Sequence, residues 1–356
     1  MHLSPLIVTP LLAGITCALL HVLALRLFPH WNLLDFPERY GLKRARLPYP
    51  SGVIAVLTFL LFFVGVSQIG RQEFGLLAGI ILLGITCVID DRKPLSPRIR
   101  LSCQTLVAVL LFATGTQIYT LTNPLSTIMQ EPFFKLDAWR IAMPLLGNVP
   151  ILSAVFTIVW LLLTINALNW FDGIPGQVSL LSTIGFLTIG LLSISSRVGQ
   201  EHLALLSFLL AAIAATSFLF DVPPPRVVLG DSGAMFFGLM LGTLTIYAGG
   251  KVATAFLVLG VPLIDSFFVI VRRVTSGRSP LQGSNDHLHH RLLARGWSPL
   301  HVIVLTASVG LLFGGTALFL STFQKFIAAI ILFLLMLGLT VYSRPPNSQK
   351  TSTDYS

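Results

Sequence analysis

An all-α, polytopic integral membrane protein of about 10–11 transmembrane helices is the fold class this sequence predicts. Three observations predict it. Of 356 residues, 54% are hydrophobic and only 10% charged, whereas about a quarter of a soluble protein is charged; mean hydropathy is +0.84. Apolar runs long enough to span a bilayer recur along the chain. The basic residues gather in alternate loops between those runs.

The runs read as spans cover 5–28, 51–69, 74–89, 101–118, 149–165, 178–195, 202–220, 234–249, 252–271, 299–320 and 325–342. The first run, Pro5 to Phe28, lacks a small-residue cleavage site and is expected to be a span, not a signal peptide. Segment 119–148 carries few charges and reads as a cap without chemistry. No internal repeat of about 20–50 residues and no linker is evident. Residues 1–343 are expected to form one transmembrane domain, and 344–356 a disordered polar tail. Cys17, Cys87 and Cys103 lie in apolar runs without metal-ligand spacing, as buried small residues do.

Alternating the spans sorts the loops into two sets. One holds 29–50, 90–100, 166–177, 221–233, 272–298 and the tail, with about 17 of the 23 Lys and Arg residues. Basic loops remain in the cytosol. The chain is therefore expected in the plasma (inner) membrane, multi-pass, with its N-terminus outside and its C-terminus inside. Every unusual polar cluster falls in the cytoplasmic set, so the expected active site is cytoplasmic.

The central cluster is NALNWFDGIPG, 166–176. Asn166, Asn169 and Asp172 are three apart, and on a continuing helix they form a staircase over part of its circumference. Gly173, Pro175 and Gly176 end that helix. A plain helix-capping loop is the alternative. Asp90 and Asp91 close another span. Adjacent carboxylates repel unless a cation intervenes, and a hard cation such as Mg²⁺ would suit them; neutralisation by Arg92 and Lys93 is the alternative. Gly230-Asp231-Ser232-Gly233 opens a further span with a tight turn, N–H groups and one carboxylate. The first loop offers Arg39, Lys43, Arg44 and Arg46 for a phosphate or for anionic lipid. In the last loop His287, His289, His290 and Arg291 suit a pyrophosphate; ligands for structural zinc are too few. Asp265 lies inside the preceding span, either functional or a buried partner of an Arg or His.

These residues resemble the polyprenyl-phosphate N-acetylhexosamine-1-phosphate transferases (glycosyltransferase family 4) from Arg39 to Arg291. The family's acidic pair looks like Asp90–Asp91, and its Asn-x-x-Asn-x-x-Asp-Gly segment like Asn166, Asn169, Asp172 and Gly173. Its Gly-Asp-x-Gly turn looks like 230–233, and its histidine loop like His287 to Arg291. His-Leu-His-His-Arg after Gly277-Arg278-Ser279-Pro280 is similar to the undecaprenyl-phosphate N-acetylglucosamine-1-phosphate transferase branch. Two departures stand out. Pro175 replaces the second Asp of the family's Asp-Gly-x-Asp-Gly-Leu, and Gln177 its Leu; Lys43-Arg44-Ala45-Arg46 lacks the family's His. Either a neighbour such as Gln177 or Asp286 takes over from the missing carboxylate, with Gln177 favoured for its donor and acceptor, or the donor is recognised differently.

The resemblance implies a Mg²⁺-dependent enzyme (with Mn²⁺ as an alternative ion) that moves N-acetylhexosamine 1-phosphate from a UDP-sugar to a polyprenyl phosphate, releasing UMP. Asp231 would hold the metal, joined by Asp90 and Asp172. Asp90 or Asp91 would orient or deprotonate the lipid phosphate. Asn166, Asn169, Gly173, Asp265, Arg39, Lys43 and the His287–Arg291 cluster would bind substrate. No nucleic-acid partner is expected, and a homodimer is left open. Phospho-N-acetylmuramoyl-pentapeptide transfer is the rival within the family. A transporter of an anionic lipid or sugar phosphate is the rival outside it, though transporters place polar groups near the bilayer midplane.

Overall fold

The eleven apolar runs all prove to be helices, one of them broken. The chain opens with α1 (Pro5–His30), α2 (Gly52–Val66), α3 (Arg71–Arg92) and α4 (Pro97–Thr114). It continues through β1 (Thr120–Thr122), α5 (Ser126–Met129), β2 (Phe133–Lys135), β3 (Arg140–Met143) and β4 (Gly147–Pro150). Then come α6 (Ile151–Phe171), α7 (Gln177–Ile194), α8 (Glu201–Asp221) and α9 (Gly230–Tyr247). The last part holds α10 (Val252–Val258), α11 (Gly260–Thr275), α12 (Leu288–Ala294), α13 (Pro299–Ala317) and α14 (Thr322–Tyr342). This computed structural model describes residues 4–37, 45–143, 147–196, 198–249, 251–279 and 286–343. Arg39, Lys43 and the tail 344–356 lie outside the described residues.

Seven helices, α1, α3, α6, α7, α8, α13 and α14, are long and apolar enough to cross a bilayer. The pair α10–α11 would add one more if its arms form a single span. The larger number read from the sequence also includes α2, of 15 residues, and α4 and α9, which begin with polar turns. Two details go beyond what the apolar runs show. The run 252–271 is not one straight helix: α10 and α11 meet at 84°, because Pro262 lacks an N–H and its ring crowds the preceding turn. Gly260 there packs so closely on Leu332 of α14 that a Cβ would overlap it. The helical chain also carries a little β structure. Segment 119–150 holds two antiparallel hairpins, β1–β2 and β3–β4, of three or four residues per strand, too short to show a period of two.

The helix starts follow local chemistry. Ser96, Ser298 and Ser321 accept N–H bonds from Ile99, His301 and Gln324, and Pro97 and Pro299 occupy first-turn positions that need no donor. The core centres on α9, buried continuously from Ser232 to Ile246. Its Gly238-x-x-x-Gly242 spacing lets α6 approach. A Cβ at Gly238 would lie 2.6 Å from the Thr164 carbonyl oxygen, and one at Gly242 would overlap the Thr164 hydroxyl. Trp160 Nε1 donates to the Gly242 carbonyl at 3.2 Å. At the start of α9, Gly233 lies against Gly52 of α2 with no room for a Cβ on either. These contacts bring the end of α6 and the starts of α2 and α9 to one face of the bundle.

Candidate active site

Asp90 and Asp91 close α3 but point to different partners. Asp90, 7% exposed, accepts from the Leu95 N–H at 2.6 Å and from Arg100 at 3.0 Å. Arg100 stands one turn into α4, where the Ser96 cap sets the helix direction. The same guanidinium nitrogen lies 3.0 Å from Oδ2 of Asp231. Asn169, near the end of α6, donates to Oδ1 of Asp231 at 2.8 Å. Asp91 accepts from the Tyr49 hydroxyl and from the N–H groups of Asp231 at 3.1 Å and Ser232 at 3.4 Å. It thereby caps the positive end of α9. The acidic pair is thus separated, one carboxylate held by Arg100 and the other by a helix terminus. Arg92 and Lys93 are exposed and are not its counter-ions.

The staircase forms in part. Asn166 and Asn169 lie within α6, and Asp172 is its first non-helical residue, at φ −78° and ψ 48°. Asn166 turns to Gln104 of α4, at 2.8 Å, and to its own helix at the Leu162 carbonyl; it braces α6 on α4. Asp172 is crowded by protein and by the carboxylates of Asp221, Asp231 and Asp91. Burial first, then that repulsion, raises its pKa well above the usual carboxylate range.

The histidine loop closes against the same place. A Cβ at Gly173 would overlap the His289 ring. Phe171 meets His289 edge-on, and His287 stacks on His289 with ring centres 5.9 Å apart. Asp265 of α11, 3% exposed, lies 2.8 Å from His287 Nδ1 and accepts from the Leu288 N–H at 2.9 Å. Arg291 approaches it at 3.8 Å and donates to the Thr340 carbonyl. Asp265 is thus a buried partner of the loop, as one of the two readings of it expected, with both oxygens engaged. Burial, then the neighbouring His290, His287 and Arg291, keeps His289 well below its ordinary pKa of 6.5, and His290 is lowered too. These two are neutral imidazoles at pH 7 and act as donors or acceptors, not as charges. Among the described residues, neither buried ring nitrogen of His289 has a hydrogen-bond partner.

Four segments distant in sequence meet here, in the order that the motifs announced. The chain shares a sequence signature with the family described as Glycosyl transferase family 4 over residues 73–249. A Bacillus subtilis (strain 168) protein, a probable undecaprenyl-phosphate N-acetylglucosaminyl 1-phosphate transferase, is 30% identical over 74% of this chain and 69% of its own length. The chain belongs to glycosyl transferase family 4. Two further relatives carry the name undecaprenyl-phosphate alpha-N-acetylglucosaminyl 1-phosphate transferase. The one from Haemophilus influenzae is 27% identical over 89% of both chains. The one from Escherichia coli (strain K12) is 26% identical over 87% of this chain and 83% of its own.

This family-4 chain differs from its sequence reading in two site residues. Arg100 and Tyr49 hold the carboxylates, yet one stands among ordinary topogenic basic residues and the other in a proline-rich loop. Only the ten-residue interval between Asp90 and Arg100, closed by a Ser-Pro helix start, could have pointed to Arg100. Among the described residues no three His, Cys, Asp or Glu side chains converge closely enough to hold a metal. Asp90 and Asp231 nevertheless share one cation, the Arg100 guanidinium, at 3.0 Å each. Hard carboxylate oxygens around a shared positive charge fit Mg²⁺, which often takes one or two protein carboxylates plus substrate phosphates. Asp172 is not brought to that shared point.

Proposed function

We propose that this membrane enzyme transfers N-acetylglucosamine 1-phosphate from UDP-N-acetylglucosamine to a polyprenyl phosphate such as undecaprenyl phosphate. The observation that carries the reading is the Asp90–Arg100–Asp231–Asn169 cluster, set at helix ends on one face of an apolar bundle and closed by the histidine loop. A phosphate on a lipid can reach such a site from the bilayer while a nucleotide sugar reaches it from water. An oxygen of the lipid phosphate attacks the phosphorus that bears the sugar. The new P–O–P bond forms as the bond to the UMP oxygen breaks, and UMP leaves with the electron pair.

Phosphoryl transfer needs positioning and charge neutralisation more than covalent help. Asp231 and Asp90 would hold Mg²⁺, which would neutralise the diphosphate. Arg100, released from its two carboxylates, is within reach of the same phosphates. Asn169 keeps Asp231 aimed at the site. Asp91, tied to Tyr49 and to the start of α9, holds the Gly230–Gly233 turn in place. Neutral His289 and His290 supply uncharged hydrogen bonds, and Arg291 adds charge behind them. Asp172, away from that shared point, would hold the nucleotide. The excess of Lys and Arg in the loops at this face supports a cytosolic orientation. Single cysteines at 95, 170 and 228, in a background lacking the native three, are expected to resist an impermeant thiol reagent in intact cells.

The test is UMP release from purified protein supplied with undecaprenyl phosphate, Mg²⁺ and one UDP-sugar at a time. UDP-N-acetylglucosamine is expected to give UMP only when the lipid is present. Preference for UDP-N-acetylmuramoyl-pentapeptide would move the chain to the other branch. Lipid-independent transport of the sugar nucleotide without UMP would reject the enzyme reading.

A further inference from the structure

The departure at Pro175 leaves the site one carboxylate short of its family pattern. Asp286, one expected substitute, is engaged by Arg272 at 3.6 Å. The fold supplies another. Asp221 ends α8 and is 1% exposed. Its Oδ2 accepts from the Ser179 hydroxyl at 2.9 Å, and among the described residues no well-aligned donor meets its buried Oδ1. Gln177, the first residue of α7, is also 1% exposed, with both its amide nitrogen and its amide oxygen unpartnered.

The turn that carries Pro175 lies directly on Asp221. Gly176 adopts φ +86°, and a Cβ there would stand 3.0 Å from Cα of Val222. The Gly176 N–H faces the Asp221 carboxylate. Among the carboxylates around Asp172, Asp221 acts on it most strongly. Among the described residues, both amide atoms of Gln177 are thus buried without partners and Asp221 Oδ1 has at most the facing Gly176 N–H, all beside the candidate site. Such groups are costly, and native structures keep them where something else completes them.

We propose that Asp221 and Gln177 form the donor-recognition wall of the site, with Asp221 standing in for the carboxylate missing at position 175. A carboxylate acceptor beside a primary amide complements a group that presents N–H next to C=O. The UDP-sugar carries two such groups, the imide of the base and the acetamide of the sugar. This assignment rests on the reading of the chain as a UDP-sugar transferase.

UMP release by the wild-type enzyme is measured first; its absence defeats that reading and not this assignment alone. Asp221→Asn keeps size and an acceptor for the Ser179 hydroxyl. It is expected to raise KM for UDP-N-acetylglucosamine about tenfold or more, with kcat within about twofold and melting temperature unchanged. Adding Pro175→Asp is expected to bring KM back down. UDP-glucose, which lacks the acetamide, and a donor methylated at the base imide separate the two sources: the KM penalty vanishes with whichever donor lacks the recognised N–H. Gln177→Leu, expected to raise KM by itself, decides the matter if Asp221→Asn fails to fold. An unchanged KM in the folded variant overturns the assignment. So does a joint fall in kcat and melting temperature that Pro175→Asp leaves in place, which would make Asp221 a cap of α7.

Discussion

Removing Arg100 exposes the electrostatics of the site without touching a carboxylate. One guanidinium nitrogen stands 3.0 Å from an oxygen of Asp90 and 3.0 Å from an oxygen of Asp231, so those oxygens lie within about 6 Å of each other. In Arg100→Ala both negative charges remain, with the cation gone. Coulomb's law at that separation gives a repulsion of about 0.7 kcal/mol in water and about 2.8 kcal/mol at an effective dielectric of about 20. Asp231 and Arg100 are each about 30% solvent-exposed at the side chain, whereas Asp90 is 5% exposed. The result should lie between those limits, about 1–2 kcal/mol, or roughly 1–3 °C in melting temperature at about 2.1 cal/mol/K of unfolding entropy per residue. A divalent cation would refill the seat that Arg100 left. The assay is thermal unfolding of detergent-solubilised wild type and Arg100→Ala, with MgCl₂ or with NaCl at matched ionic strength. The variant is expected to melt lower in NaCl and to recover more than wild type in MgCl₂. A variant that melts like wild type in NaCl, or gains no more from MgCl₂ than from NaCl, would refute the shared-cation seat.

Three further outcomes follow from contacts in the same site. Asp231→Asn keeps the bond from Asn169 but loses the charge that faces Arg100; UMP release should fall by about a hundredfold or more while folded yield persists, and more than about a tenth of wild-type activity would remove Asp231 as the principal ligand. Gly173→Ala should displace the His289 ring, lowering activity sharply with little loss of expression; normal kinetics would show that the histidine loop does not act through this contact. His289 and His290 are neutral in the fold but take a proton near pH 6.5 when unfolded, so the unfolded state binds more protons and stability falls as pH drops below about 6.5. Melting temperature measured from pH 8 to 5 should show that loss, and His289→Gln should flatten it; equal slopes would discount the histidines.

The sequence by itself determined the membrane class, the positions of the helices and the identity of most site residues. Apolar length is set by bilayer thickness, so helices are legible in composition alone. Asp90, Asp91, Asn169, Asp172 and Asp231 stood out because polar groups at the end of an apolar run are costly without a purpose. Tertiary structure decided what each of them touches. The Gly238–Gly242 face lets α6 lie against α9, and only that approach puts Asn169 on Asp231 while Asn166 turns to Gln104. Arg100 looked like one basic residue among many until α4 folded back over α3. Asp265 was legible as unusual, but whether it met substrate or His287 depended on α11 bending 84° from α10. Asp221 gave no signal at all. Its neighbours Ser179 and Gly176 are more than forty residues away in sequence, and no local period reports a contact between the start of one helix and the end of the next.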